Sequence, residues 1–307
     1  MADGTPAVSR KDPRLLRVPL TVVSSLEAPP RATPMPLTLT PRTDPANGGP
    51  LAIDLLGITP DRLAGLSLDA VERRMVRADE QPAELGELFT VEGDLGDGVL
   101  ECRGDFSRVH SLAAGMSLGQ VRVVGPVGRH AAEGMTGGRL EVAGSAGDWL
   151  AAEMSGGEVH VAGSAGDNVA GARPGSREGM RGGLVIVAGD VGHMAGQRMR
   201  RGILAAGGGC GEASAFEMRA GTVVVAGRVG PRAGLGMARG SLVALADHPA
   251  IPATFHAGRA WLPPFIAVLL ARLGRAGFWP AAAPPRRFQQ WHGDVLAGGR
   301  GEILHPA

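Results

Sequence analysis

The fold is decided by Met135-Thr136-Gly137-Gly138-Arg139-Leu140-Glu141-Val142-Ala143-Gly144-Ser145-Ala146-Gly147 and its near copy Met154-Ser155-Gly156-Gly157-Glu158-Val159-His160-Val161-Ala162-Gly163-Ser164-Ala165-Gly166. Methionine returns at Met116, Met135, Met154, Met180, Met199, Met218 and Met237, in steps of 19, 19, 26, 19, 19 and 19 residues. Glycine keeps step with it, at Gly119, Gly138, Gly157, Gly183, Gly202, Gly221 and Gly240, and again nine and twelve residues after each of the first six methionines. A fixed period of this kind marks a repeat architecture.

Between the first two glycine columns lies a short alternating strand, as in Leu140-Glu141-Val142 and Val223-Val224-Val225. A unit of 19 residues cannot bury its own apolar side, so neighbouring units must bury it for one another. Stacked in register, they pair backbone groups from coil to coil and fuse their apolar columns into one core. The sequence therefore predicts an all-β chain, a right-handed parallel β-helix of 19-residue coils, about seven in number. Glycine is wanted at the corners, where positive φ or close backbone approach leaves no room for a Cβ repeated every ~4.8 Å. Methionine suits an inner corner because its unbranched thioether fills irregular gaps.

Phe89-Thr90-Val91-Glu92-Gly93 and Leu100-Glu101-Cys102-Arg103-Gly104 read as lead-in coils, with Cys102 at the inward position held by Val123. Open strand edges at both ends of such a stack need covering. The expected organisation is an N-terminal tail and small mixed cap over 1–86, the β-helix over 87–246 and a C-terminal cap over 247–307. Within the first cap, Val18 to Val23 and Leu37 to Thr40 look strand-like, and a helix from Ser67 carries Leu68, Val71 and Met75. In the second, Pro264 opens a helix bearing Phe265, Val268, Leu269 and Leu270, closed by Gly274 or Gly277.

Composition narrows the function. Among 307 residues, Lys+Arg 31 against Asp+Glu 30 leaves a net charge of +1, which argues against a nucleic-acid binder. Aromatic residues at 4% supply few rings for stacking on bases or sugars. No apolar run reaches the roughly 18 residues that span a bilayer, and Asp3, Arg10, Lys11 and Asp12 interrupt any export signal, so a cytoplasmic location is expected. Cys102 and Cys210 stand apart from metal-ligand spacings and read as buried thiols. No metal site and no catalytic set is legible.

Two surface features point to partners. The outward strand position carries Arg122, Glu141 and His160 early but Ile186, Ala205, Val224 and Val243 late. A strand apolar on both faces is covered, so Ile186, Ala205, Val224 and Val243 are expected to meet another protein of a complex, the C-terminal helix, or both. Arg181, Arg200 and Arg219 each follow a methionine, with Arg198, Arg201 and Arg239 nearby. Like charges stacked at ~4.8 Å repel by about 1 kcal/mol per pair even in water. They call for Glu178 and Glu217 or for an external anion. Asp148, Asp167, His193 and Glu212 share the position after the third glycine and read as a solvated ridge. Seven extra residues between Met154 and Met180, around Gly171 to Glu178, should form a contact loop.

The repeats beginning at Met135 and Met154 resemble the glycine-repeat β-helix shared by glutamate synthase large subunits and by the C-type subunit of formylmethanofuran dehydrogenase. The segments from Ile53-Asp54 to Leu66-Ser67-Leu68 and from Leu88 to Asp94 narrow the likeness to the second family, over about residues 50 to 275. A relative of that C-type subunit occurs in the bacterial formyltransferase/hydrolase complex. The resemblance implies a non-catalytic scaffold beside amidohydrolase-like, dehydrogenase-B-like and formyltransferase subunits, in one-carbon metabolism linked to methanofuran and tetrahydromethanopterin. It implies no catalytic cofactor on this chain; the methanofuran-type cofactor belongs to the complex, and its glutamate tail would suit Arg181, Arg200 and Arg219. A linker domain of the glutamate synthase kind and a free-standing β-helix binding protein are the alternative readings.

Overall fold

The computed structural model describes residues 35–43, 48–278, 280 and 283–307. In chain order its elements begin with β1 (Leu37–Pro41), β2 (Ile53–Asp54), α1 (Pro60–Leu63), α2 (Leu68–Glu72), β3 (Met75–Ala78), β4 (Gln81–Glu84), α3 (Leu85–Leu88), β5 (Phe89–Glu92), β6 (Val99–Cys102) and β7 (Val109–His110). The repeats contribute β8 (Gln120–Val123), β9 (Arg139–Val142), β10 (Glu158–Val161), β11 (Arg181–Val187), β12 (Arg201–Ala206), β13 (Thr222–Val225) and β14 (Arg239–Ala244). After them come β15 (His256–Trp261), α4 (Pro264–Arg275), β16 (Phe288–Gly293) and β17 (Arg300–Pro306). The chain is mostly β, as its alternating short strands predict. The strand-like stretch Val18 to Val23 lies outside the described residues.

Strands β8 to β14 stand side by side in parallel, each residue paired with its counterpart one repeat on: Val121 with Leu140, Leu140 with Val159, Val159 with Val185 and Val223 with Leu242. A second parallel column runs through Phe106, Val127, Ala146, Ala165, Val191, Cys210 and Val229. The side chains between these columns are buried, among them all seven repeat methionines. Each methionine reaches beneath the next repeat. The Cε atoms of Met135, Met154 and Met199 lie 2.6, 2.7 and 3.1 Å from where a Cβ would stand on Gly157, Gly183 and Gly221. Thioether and absent side chain are thus two halves of one packing device.

The glycine columns divide by cause. The first, for example Gly157 and Gly183 at φ +90° and +94°, needs the left-handed region. The second and third do not; there a Cβ would strike the backbone of the preceding repeat, as at Gly144, 2.5 Å from the Pro126 nitrogen. The corner three residues before a methionine uses a left-handed residue in six of the seven repeats: Ala113, Ala132, Ala151 and Ala215 have positive φ, as do Gly196 and Gly234 before Met199 and Met237. Such a conformation costs an alanine about 1 kcal/mol. Hydrogen bonds between repeats offset it, including Ala132 N–H to Leu112 O at 2.8 Å and Ala215 N–H to Ala195 O at 2.7 Å.

The ends depart from expectation. β6 pairs with β8 in parallel, Cys102 opposite Val123. β5 does not stack on β6, however; β1 lies between them, parallel to β6 and antiparallel to β5. β2, β3, β4 and β7 form a separate four-stranded sheet. The helix capped by the Ser67 side chain stops at Glu72, and Met75, read as helical, instead opens β3 and is exposed. At the other end β17 adds in parallel to β14, Leu242 opposite Ile303, although the chain between them detours through β15, α4 and β16.

Helix α4 begins at Pro264 as expected, but its buried face is Ile266, Leu269 and Leu273 rather than Phe265 and Val268. That face, with Phe278, Phe288 and Leu304, forms a second core against the outward column Ile186, Ala205, Val224 and Val243. These four residues are each 5% exposed or less. The chain's own helix is thus the cover that the doubly apolar strands require, and the side chains read as facing a partner are enclosed within the chain. Among the described residues no helix is long and apolar enough to cross a membrane.

Candidate functional site

The late repeats gather arginines at one corner because in-register pairing sets the residues that follow each methionine beside their counterparts in the next strand. Arg181 stands opposite Arg201 across β11 and β12, and Arg239 opposite Arg300 across β14 and β17. Between these pairs lies a shallow concavity of about 360 Å³ lined by Arg200, Arg201, Arg219 and Arg239 over Ala220 and Ala238. Arg200 is balanced by Glu178 at 2.9 Å, and Arg198, beside it, by Glu217 at 2.7 Å. Arg181, Arg200, Arg201, Arg219, Arg239 and Arg300 all reach solvent. The structure brings Arg200 and Arg219 together in one lining and sets Arg181 one strand away. Arg300 was invisible to the repeat, since 61 residues separate it from its neighbour Arg239.

Glu178 belongs to the seven-residue insertion, and this loop is fastened to its own chain on both sides. Arg173 reaches Glu133 at 2.9 Å and Glu153 at 3.4 Å. Arg198 donates to the Ser176 carbonyl at 2.9 Å.

The ridge after the third glycine has a structural task. Asp148 Oδ1 accepts the Asp167 amide at 2.9 Å, Asp167 Oδ1 the His193 amide at 2.7 Å, and His193 Nδ1 the Glu212 amide at 3.0 Å. At the start of the series His110 Nδ1 accepts the Arg129 amide at 3.1 Å. Asp148, Asp167 and His193 share this column because each offers an acceptor at the same place; at Glu212 the series ends, since Pro231 in the next repeat has no amide hydrogen. Among the described residues no group of three or more His, Cys, Asp or Glu is placed to hold a metal ion. Burial pushes the Cys102 and Cys210 thiols up from their ordinary range, so neither carries appreciable thiolate at neutral pH.

Desolvation by burial, with Arg129 close by, lowers the His110 pKa from its usual 6.5, and burial also lowers those of His160 and His305. A depressed histidine stabilises the fold above the unfolded value, and that contribution is lost as pH falls through the folded value. Thermal melts should therefore be flat above about pH 7 and decline below about 6.5. His110→Asn, whose Oδ1 accepts the same amide at every pH, should make the decline shallower; an unchanged slope would remove His110 from the account.

The early repeats leave their outward face open. Arg122, Glu141, Arg139 and Glu158 form a chain of ion pairs there, with Arg139 2.7 Å from Glu141 and 3.4 Å from Glu158.

Among solved structures, this chain is similar to one in the X-ray crystal structure of the formyltransferase/hydrolase complex (FhcABCD) from Methylorubrum extorquens in complex with methylofuran. The two are 33% identical with a TM-score of 0.78, over 88% of this chain and 99% of that one. No protein-family model and no curated protein matches the sequence.

Proposed function

Because the chain belongs to the family of this formyltransferase/hydrolase complex component, we propose that it is the C-type scaffold subunit of such a complex, related to formylmethanofuran dehydrogenase. In this reading it is a right-handed parallel β-helix of about seven coils over 87–246, with 1–86 as an N-terminal tail and cap and 247–307 as a C-terminal cap. It binds amidohydrolase-like, dehydrogenase-B-like and formyltransferase subunits in the cytoplasm and contributes no catalytic residue. The observation that carries the proposal is the likeness over 99% of the neighbour's chain. It is supported by an interior filled mostly with aliphatic side chains and methionine, which places the charged side chains at the surface, where contacts with other subunits form.

The neighbour was crystallised with methylofuran. Arg181, Arg200 and Arg219, with Arg201 and Arg239 beside them, present charge suited to a glutamate-tailed cofactor of the methanofuran type. The partner surface lies outside Ile186, Ala205, Val224 and Val243, on the helix that covers them.

The test is affinity purification of the tagged full-length chain from its native cells. Subunits of the three named kinds should co-purify in fixed ratio, and the chain alone should neither hydrolyse nor transfer an N-formyl group. Activity of the isolated chain would overturn the scaffold reading. In the same complex, Arg200→Glu with Arg219→Glu should weaken binding of the glutamate-tailed cofactor about tenfold, and unchanged affinity would remove the arginines from its path.

A further inference from the structure

Helix α4 covers the outward face of the late repeats and stops short of the early ones. Alongside its C-terminal half two concavities of about 500 and 600 Å³ adjoin one another and share Arg139 in their linings. The first reaches Gly277 just past the helix, and the second is walled by Val268, Arg272 and Arg275 of the helix itself. Together they make one groove between α4 and β8 to β11.

The groove has an apolar floor and basic walls. Its floor is the residue following each strand, Val124, Ala143, Ala162 and Ala188, repeated at ~4.8 Å. Val124 is 61% exposed and Val268 on the opposite wall 69%, large values for such side chains in a folded protein. The carboxylates that line it, Glu141 and Glu158, are already engaged by Arg122 and Arg139. Arg272 and Arg275 are exposed and, among the described residues, have no carboxylate partner; Arg275 donates only to the Ala271 carbonyl. His160 lines the same groove with its Nε2 3.6 Å from Glu158 Oε2, just beyond hydrogen-bond distance. The lining therefore holds two uncompensated positive charges and a row of apolar side chains that allows close approach.

We propose that this groove receives an acidic segment of another subunit of the complex, its small apolar side chains on the Val124 to Ala188 row and its carboxylates against Arg272 and Arg275. Charge complementarity argues for this occupant over a second copy, which would bring the same arginines to face one another. The inference rests on the chain working within the complex proposed above.

The experiment measures the affinity of the full-length chain for the remaining subunits of the complex, as a function of ionic strength. Arg272→Glu with Arg275→Glu should weaken association about tenfold at low salt and flatten its salt dependence. Arg272→Lys with Arg275→Lys should stay within about threefold of the wild type. Ala162→Trp, which fills the floor, should weaken association as well. All four substitutions at the two arginines lie on an exposed helix face in the last turn of α4; the lysine pair should melt like the wild type, the charge-reversed pair slightly lower because its carboxylates sit at the negative end of the helix, and a single cooperative transition well above the assay temperature shows that the fold is intact. Wild-type affinity in the charge-reversed variant would overturn the groove while leaving the scaffold reading standing. A wild-type chain that binds none of the subunits would overturn both. Self-association of the wild type, lost in the charge-reversed variant, would make the occupant a second copy and this proposal wrong.

Discussion

Gly144→Val is expected to abolish cooperative folding of the repeats. A Cβ at this position would lie 2.5 Å from the Pro126 nitrogen and 2.7 Å from the Gly125 carbonyl carbon. Both are backbone atoms, so no side-chain rotation relieves the clash, and the two repeats must separate. Separation strains the bonds from Gly144 N–H to Gly125 O at 3.1 Å and from Gly163 N–H to Gly144 O at 2.9 Å. Overpacking of about 3 kcal/mol and two hydrogen bonds at about 1 kcal/mol each together approach the lower end of a domain's total stability. Valine adds branched methyls to the same clash. In a stack each repeat touches only its neighbours, so a break in the middle divides the array. Circular dichroism melts and limited proteolysis read the outcome: early loss of structure and cleavage near the substitution. A melting curve like the wild type would mean that these glycines do not lie against one another.

Met154→Ala should cost about 2 to 5 kcal/mol, the range for truncating a fully buried long side chain. Met154 is 0% exposed, and its Cε occupies the place where a Cβ on Gly183 would stand, at 2.7 Å. Neighbouring repeats are held apart by their ladders and cannot collapse into the space left behind. The partner change Gly183→Ala should also destabilise, through that methyl, the Gly157 carbonyl oxygen at 2.8 Å and its own φ of +94°. Combined, the two should cost about 1 kcal/mol less than their sum, because the smaller residue at 154 removes one of the three conflicts. Denaturant titrations of the four proteins measure the coupling. Strict additivity would show that methionine and glycine are not partners across repeats.

The Met154 pair also shows why the 26-residue step did not disturb the reading. Gly183 takes its place over Met154 although the insertion intervenes, because Arg173, Arg198 and Arg200 tie the extra residues to neighbouring repeats. The acceptor ridge was legible as a column but not as a function. Asp148, Asp167 and His193 differ in charge, and only their common hydrogen bond to the next repeat's amide explains the set. Three residues upstream of the methionines, Ala113, Ala132, Ala151 and Ala215 at positive φ share a column with Gly196 and Gly234. The two glycines are the signal that could have marked this left-handed corner; alanine carries no mark of backbone conformation, and at four of the positions it hid the corner. Of the arginine corner, the residues next to the methionines were legible and Arg300 was not.

Periodicity in the residues suffices for the all-β character, the pairing of like positions and the burial of methionine, because each of these is a contact between neighbouring copies of one unit. Which segments complete the sheet is of another kind. β1 slips between β5 and β6, β17 joins β14 across a long detour, and α4 turns Ile266, Leu269 and Leu273, not Phe265, towards Ile186 and Val224. These contacts join stretches with no shared pattern. They depend on which edges and apolar faces the finished stack leaves unsatisfied, and that is a property of the assembled backbone rather than of any local run of residues.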